Sequence, residues 1–485
     1  MRRMFNEKVK LPPVWISLIP LVLLVVLIGC VVYVFGSDSL AGASQISLLI
    51  ASAMSVGLGM FFKHITWADF EKAVADKIGG VSQAIIILLM IGALGGAWMV
   101  SGIVPTMIYY GLQILTPECF LAITCFVCAI VSVVTGSSWT TVATIGVALI
   151  GIGRALGISD GWVAGAIISG AYFGDKISPL SDTTVLAAST VGTPLFTHIR
   201  YMLYTTIPSF LIALVIYVAY GLCCDVSASA SIDSYLNALS GKFYISPILL
   251  VVPIITGIMI AKKMPSIMVL FFATMIAVLV AIIAQPHLLN EISGCKDGGI
   301  VSHFKGAMII VYGSTSLDTG LPELNNLVST RGMAGMMSTI WLILCAMVFG
   351  GAMTITGMLE SIMYLFLRFV KTTVSAVAST VCVGSFLNTI CGDQYLSIIL
   401  TSSMFKNVYE QEGYEPRLLS RTVEDSVTVT SVLVPWNTCG MTQATVLGVS
   451  VLAFAPYAFF NLLSPLMSIF VAATGYKIYR NVSKK

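Results

Sequence analysis

Two short stretches hold most of the side chains in this 485-residue sequence that could do chemistry. The first, residues 174–184 (GDKISPLSDTT), places Asp175, Lys176, Ser178, Asp182 and Thr183 around Pro179. The second, residues 424–438, holds Glu424, Asp425, Thr428, Asn437 and Thr438, with Pro435 before the last two. Two further polar patches precede them: Ser137 and Ser138 in TGSSWTT, and Asp393 in NTICGD. Carboxylate, hydroxyl and amide oxygens, together with backbone carbonyls freed where a proline interrupts a helix, make the hard-oxygen shell that an alkali cation prefers to sulfur or imidazole. A buried carboxylate can hold a proton or a cation, but not both easily, and that competition can couple their movements. Asp175 and Asp182 are seven residues apart, two turns on one helical face, although Pro179 interrupts that geometry.

Each of these groups also has a plainer reading. Residues 174–179 could form a polar surface loop with Asp175 and Lys176 solvated. Asp393 could cap a helix starting at Gln394. Glu424 and Asp425 could form a surface ion-pair cluster with Arg417 and Arg421. Ser137, Ser138, Thr140 and Thr141 could bond back to helix carbonyls. The four histidines, His64, His198, His287 and His303, are expected in or near loops and form no H-x-x-x-H pair, so no enzyme and no bound cofactor is expected. Of the eleven cysteines, Cys125, Cys128, Cys345 and Cys382 read as packing residues in apolar helices. Cys223, Cys224 and Cys295 fall in polar loops, where a disulfide is conceivable.

These polar residues interrupt a chain that is 57% hydrophobic and 10% charged, with a mean hydropathy of +0.96. That balance belongs to an integral membrane protein rather than a soluble one. Apolar runs at 14–35, 201–222, 245–261, 266–284 and 334–358 have the length of spanning helices, and roughly ten to twelve spans are expected, some broken. The basic N-terminus precedes an apolar run too long for a signal peptide and without a small-residue cleavage site. A net charge of +3 without a long Lys/Arg run gives no reason to expect nucleic-acid binding. An unpaired charge at the bilayer centre costs at least about 2.5 kcal/mol, so the polar stretches must face a partner or a cavity.

The basic N-terminus, Lys262 with Lys263, and the basic tail place both termini in the cytoplasm by the positive-inside rule, with 223–241 outside. The sequence also resembles itself. Gly95, Gly96, Ala97 and Gly102 match Gly350, Gly351, Ala352 and Gly357 at an offset of 255; Gly136, Gly157 and Pro179 match Gly392, Gly413 and Pro435 at 256. The paired glycines at 95–96 and 350–351 read as close helix packing. The expected organisation is N-terminal helices over 1–81, a first repeat over 82–222, a linking and external region over 223–336, a second repeat over 337–477 and a tail over 478–485. The repeats start on opposite sides of the membrane. That is the inverted topology of secondary transporters, whose sites lie near the midplane on broken helices.

Residues 170–189 (GAYFGDKISPLSDTTVLAAS) and 418–440 (LLSRTVEDSVTVTSVLVPWNTCG) resemble the two halves of the NhaC family of Na+/H+ antiporters. The resemblance covers about 10–475. It implies an all-α polytopic protein of a bacterial inner membrane, with helical hairpins, elevator-like movement and exchange of Na+ for H+. By position, Asp175, Ser178, Asp182 and Thr183 match the first motif, and Glu424, Asp425, Asn437 and Thr438 the second. Asp175, Asp182, Asn437 and Thr438 are the candidate Na+ ligands. Some relatives exchange malate or lactate together with Na+ and protons, which gives the alternative of an organic-acid antiporter. A homodimer stays open. A channel is compatible with the repeat but is set below exchange, and a membrane-embedded enzyme does not fit the histidine pattern.

Overall fold

The computed structural model describes residues 11–35, 42–63, 65–223, 229–262, 264–295, 299–367, 370 and 372–480. The basic residues before 11, His64, Cys224, Lys263 and the last five residues of the tail, all used above, lie outside them. The described chain is helical, with isolated antiparallel bridges at Thr315 to Thr330 and Tyr414 to Arg480. Among the described residues, nine helices are long and apolar enough to cross a membrane, and two pairs bent by 87° and 86° raise the number to eleven. Helices answer this setting because they satisfy their own backbone groups where no water can. Val14–Phe35 and Ser266–Ala284 end where the apolar runs end. The run at 201–222 belongs to a longer helix, Leu195–Cys223, which places His198 inside a helix rather than in a loop.

The linking and external region contains regular structure. Within it, residues 286–333 form three short helices, Pro286–Ser293, Ile300–Tyr312 and Pro322–Val328. Ile300–Tyr312 packs against the 34-residue helix Trp67–Val100, where Gly96 leaves room for the Ile310 carbonyl. Cys223 and Cys295 carry free thiols, and Cys382 is exposed on its helix rather than packed like Cys125, Cys128 and Cys345.

The two halves run through the same order of elements. Glycines with positive φ fall at helix boundaries in matched pairs: Gly102 with Gly357 (83° and 72°), Gly136 with Gly392 (68° and 62°), Gly157 with Gly413 (73° and 74°), and Gly192 with Gly448 (87° and 65°). Between them, Pro117–Thr135 corresponds to Thr373–Cys391, and Asp182–Val191 to Thr438–Leu447. The sequence matches therefore mark equivalent turns, because only glycine takes this left-handed conformation without a steric penalty.

Two hydrophobic cores meet along the polar segments. Tyr172 and Val429 belong to one, while Ala187 and Val427 belong to the other. The helix Asp160–Ile177, which carries Asp175 and Lys176, lies close along Pro117–Thr135. Gly170 faces the Cys125 carbonyl and Gly174 faces Ser132 and the Val133 backbone, so a methyl group at either position would collide with them. Ser132 fixes the register by donating to the Ala171 carbonyl at 2.5 Å. Small residues thus replace a hydrophobic driving force that lipid does not provide.

Candidate functional site

Four interruptions in the helices position the site. They fall at Gly136 and Ser137, at residues 178–181, at Gly392 and Asp393, and at residues 434–437. Each following helix opens on a side-chain cap. Ser137 accepts from the Thr140 amide, Ser181 from Thr184, Asp393 from Leu396 and Asn437 from Cys439. The interruptions abut in pairs. Gly136 sits against Leu180, while the Ser178 hydroxyl donates to the Val133 carbonyl at 2.8 Å. In the other half the Thr438 amide donates to the Gly392 carbonyl at 2.8 Å, and the Trp436 indole to the Thr389 carbonyl at 2.6 Å.

Asp175 ends up in the interior, 6% exposed, at the last turn of its helix. Its two carboxylate oxygens accept from Ser138 at 2.7 Å and Ser181 at 2.6 Å. Ser181 in turn contacts the Thr183 hydroxyl at 2.9 Å. The Thr184 hydroxyl bridges to the second motif, bonding the Lys176 carbonyl at 2.9 Å and Glu424 at 3.4 Å.

Glu424 is fully buried at the start of a π-helical turn, Glu424–Thr428, and also accepts from the Thr428 hydroxyl. A π turn is wider than an α turn and marks a local insertion, often at a functional site. Here side-chain amides take up its carbonyls. Asn388 donates to Val427 at 2.7 Å and Gln394 to Thr428 at 3.1 Å.

Lys176 and Asp425 form a buried ion pair across the two motifs. The Lys176 ammonium also donates to Ser464 at 2.8 Å, and Asp425 accepts from Thr205 at 2.9 Å. The other Asp425 oxygen faces Arg421, one turn earlier, at 3.7 Å. Arg421 is itself sealed, with its guanidinium 4.5 Å above the ring of Tyr201.

Several plainer readings change. Asp175 and Lys176 are not a solvated loop. Glu424, Asp425 and Arg421 are not a surface cluster, and Arg417 pairs with Glu415 instead. Ser137, Thr141 and Thr144 do bond within their own segment, whereas Ser138 reaches Asp175. The structure brings Asp175, Thr183, Ser138, Glu424, Asp425 and Thr428 into one network. It does not tie Asp182 into that network: the first residue of its helix, Asp182 is exposed and makes none of the network's hydrogen bonds, although it lies near enough to Asp175 for their charges to interact. Asp393 and Asn437 spend an oxygen each on capping, and the Asn437 amide donates to the Asn388 carbonyl at 3.0 Å. Thr438 is buried and ties its half together through its amide.

The sequence reading gave no site role to Thr184, Ser181, Thr205, Ser464, Tyr201 or His198. His198 is buried and contacts Ser420 at 2.9 Å. Ser181 and Thr184 follow the proline in the first motif and were legible there; His198, Tyr201 and Thr205 come from the next helix, Leu195–Cys223, and Ser464 from Phe459–Thr474.

Residues 170–476 match the model of the Na+/H+ antiporter family. The chain is 35% identical over 439 residues to the Na(+)/H(+) antiporter NhaC of Alkalihalophilus pseudofirmus, covering 90% of this chain and 92% of that one. It is 33% identical over 428 residues to the antiporter NhaC of Bacillus subtilis, covering 88% and 90%. The Malate-2H(+)/Na(+)-lactate antiporter of Bacillus subtilis is 34% identical over 439 residues, covering 90% and 89%. Both polar motifs fall inside the matched residues, and the chain belongs to the Na+/H+ antiporter family.

Proposed function

We propose that this chain is a secondary transporter that exchanges Na+ for H+ at the network joining Asp175 and Glu424. The charge balance of that network carries the reading. Asp175, Glu424 and Asp425 face two cations, Lys176 and Arg421, and all five are buried. Asp425 has both cations beside it, while the hydrogen bonds to the Asp175 and Glu424 carboxylates come from hydroxyls. One negative charge is thus uncompensated, and burying a lone charge costs several kcal/mol. A sodium ion or a proton restores neutrality. Both together would overshoot it.

The hydroxyls suit either occupant. Ser138, Ser181, Thr184 and Thr428 donate to carboxylates or carbonyls now, and each can turn a lone pair to a cation instead. Sodium would sit between Asp175 and Glu424 with these hydroxyls as further ligands. A proton would occupy one carboxylate and donate from it. The matched helix orders and glycine turns support a repeat, its inversion rests on the positive-inside pattern, and alternating access would come from one bundle moving against the other. The positive-inside pattern supports cytoplasmic termini, and the bacterial relatives support a bacterial inner (plasma) membrane. A homodimer is compatible with this arrangement.

In proteoliposomes, an outward Na+ gradient should drive protons inward through the wild-type protein and not through Asp175→Asn. Proton flux indifferent to Na+ would refute the exchange. The relative named for malate and lactate supports a second reading, organic-acid exchange. Na+-driven proton flux that appears only when malate or lactate is present would replace the first reading with the second.

A further inference from the structure

Asp425 has two cations, and they hold it differently. Lys176 hydrogen-bonds one oxygen, whereas Arg421 faces the other across 3.7 Å, beyond hydrogen-bond reach. That oxygen has no hydrogen-bond partner among the described residues, and neither have the three guanidinium nitrogens of Arg421. A fully buried guanidinium with all its donors idle is costly, because unmade bonds there are not replaced by water. Arg421 instead rests on the π face of Tyr201, whose hydroxyl donates to the Lys477 carbonyl at 2.8 Å. The outer face of this arrangement is closed by Arg417, whose guanidinium lies 4.2 Å from the ring of Tyr479 and 5.8 Å from that of Tyr201.

We propose that Arg421 is a positioning residue that takes over Asp425 when Lys176 leaves it during exchange, so that Lys176 can move without stranding a buried carboxylate. The inference rests on the exchange reading above. A shift of about 1 Å would bring the guanidinium into hydrogen-bond range of the free oxygen. Arginine suits the task because it does not give up its proton, whereas a lysine in the same place could. Asp425 is then an anchor for two cations rather than a ligand of the transported ion.

The test is a thermal-unfolding cycle on the purified full-length protein in detergent, which needs no transport. Lys176→Gln and Arg421→Gln alone should each cause a small drop in unfolding temperature, since one cation still serves Asp425. The double variant should lose more than the sum of the two, and adding Asp425→Asn should restore most of that loss. Strictly additive losses, or no rescue by Asp425→Asn, would overturn the proposal. In proteoliposomes, Arg421→Gln should slow Na+-driven proton flux by about tenfold or more at saturating Na+ while the half-saturating Na+ stays within about twofold. An unchanged maximal rate would also overturn it. If wild-type protein exchanges no Na+ for H+ while the unfolding cycle is non-additive, the exchange reading fails and the shared anchoring of Asp425 stands.

Discussion

Lys176 and Asp425 stand 249 residues apart, yet their side chains meet as an ion pair with no exposed surface on either. The pair joins the end of Asp160–Ile177 to the π turn Glu424–Thr428 and is buttressed from Leu195–Cys223 and Phe459–Thr474. It therefore fastens the first polar motif to the second. Their immediate neighbours, Asp175 and Glu424, are left with hydroxyl partners and an unfilled need for positive charge.

Removing the anion of that pair strands two buried cations. Asp425→Asn should cost about 3–5 kcal/mol, the range found when one member of a buried pair is removed. Thr205→Val, which deletes one hydrogen bond to the same carboxylate, should cost only about 1–3 kcal/mol. Thermal unfolding of the two purified variants in detergent checks the order, and an Asp425→Asn protein as stable as Thr205→Val would contradict the pairing.

At the cation site the order of effects separates two aspartates that look equivalent in the sequence. Asp175→Asn should abolish Na+-driven proton flux. Ser138→Ala and Ser181→Ala should each raise half-saturating Na+ by about tenfold, since each removes a hydroxyl oxygen that would turn to the bound cation. Asp182→Asn should leave flux far closer to wild type, because Asp182 lies outside the network. Titrating flux against Na+ in proteoliposomes gives all four values.

That contrast shows where the sequence was readable. Prolines at 179 and 435 and matched glycines report local backbone requirements, so the interruptions and the repetition of elements were visible as spacing. The fate of Asp182 was not, because four residues between helices decide which way the next helix points. Arg421 and Asp425 have i,i+4 spacing that suggests a pair, but the polar run around them suggested a surface. Only the ring of Tyr201, 220 residues earlier in sequence, reveals that Arg421 is covered. His198 was expected in or near a loop; it lies in the first turn of a helix that begins at Leu195.

The π turn depends on amides from neighbouring helices. Asn388→Ala removes the donor to the Val427 carbonyl and to the Thr430 hydroxyl at 3.0 Å. It should cost about 1–3 kcal/mol for the unsatisfied buried carbonyl and weaken Na+ dependence by displacing Glu424. Wild-type stability together with wild-type half-saturating Na+ would show that the turn holds without it.

Close packing behind Asp175 should be equally exacting. Gly170→Val places its side chain against the Cys125 carbonyl and Cys128. Overpacking of this kind costs about 1–3 kcal/mol and should lower the unfolding temperature. It should also disturb the Ser138 bond to Asp175, so flux should fall in protein that still inserts.

Competition between Na+ and H+ for one uncompensated charge is the central claim, and proton release on Na+ binding measures it most directly. Purified protein in weakly buffered detergent solution should release about one proton for each Na+ bound at a pH where the site is protonated, and Na+ affinity should weaken as pH falls. Asp175→Asn should release none. Na+ binding to the wild type without proton release, at an affinity that does not change with pH, would contradict the claim.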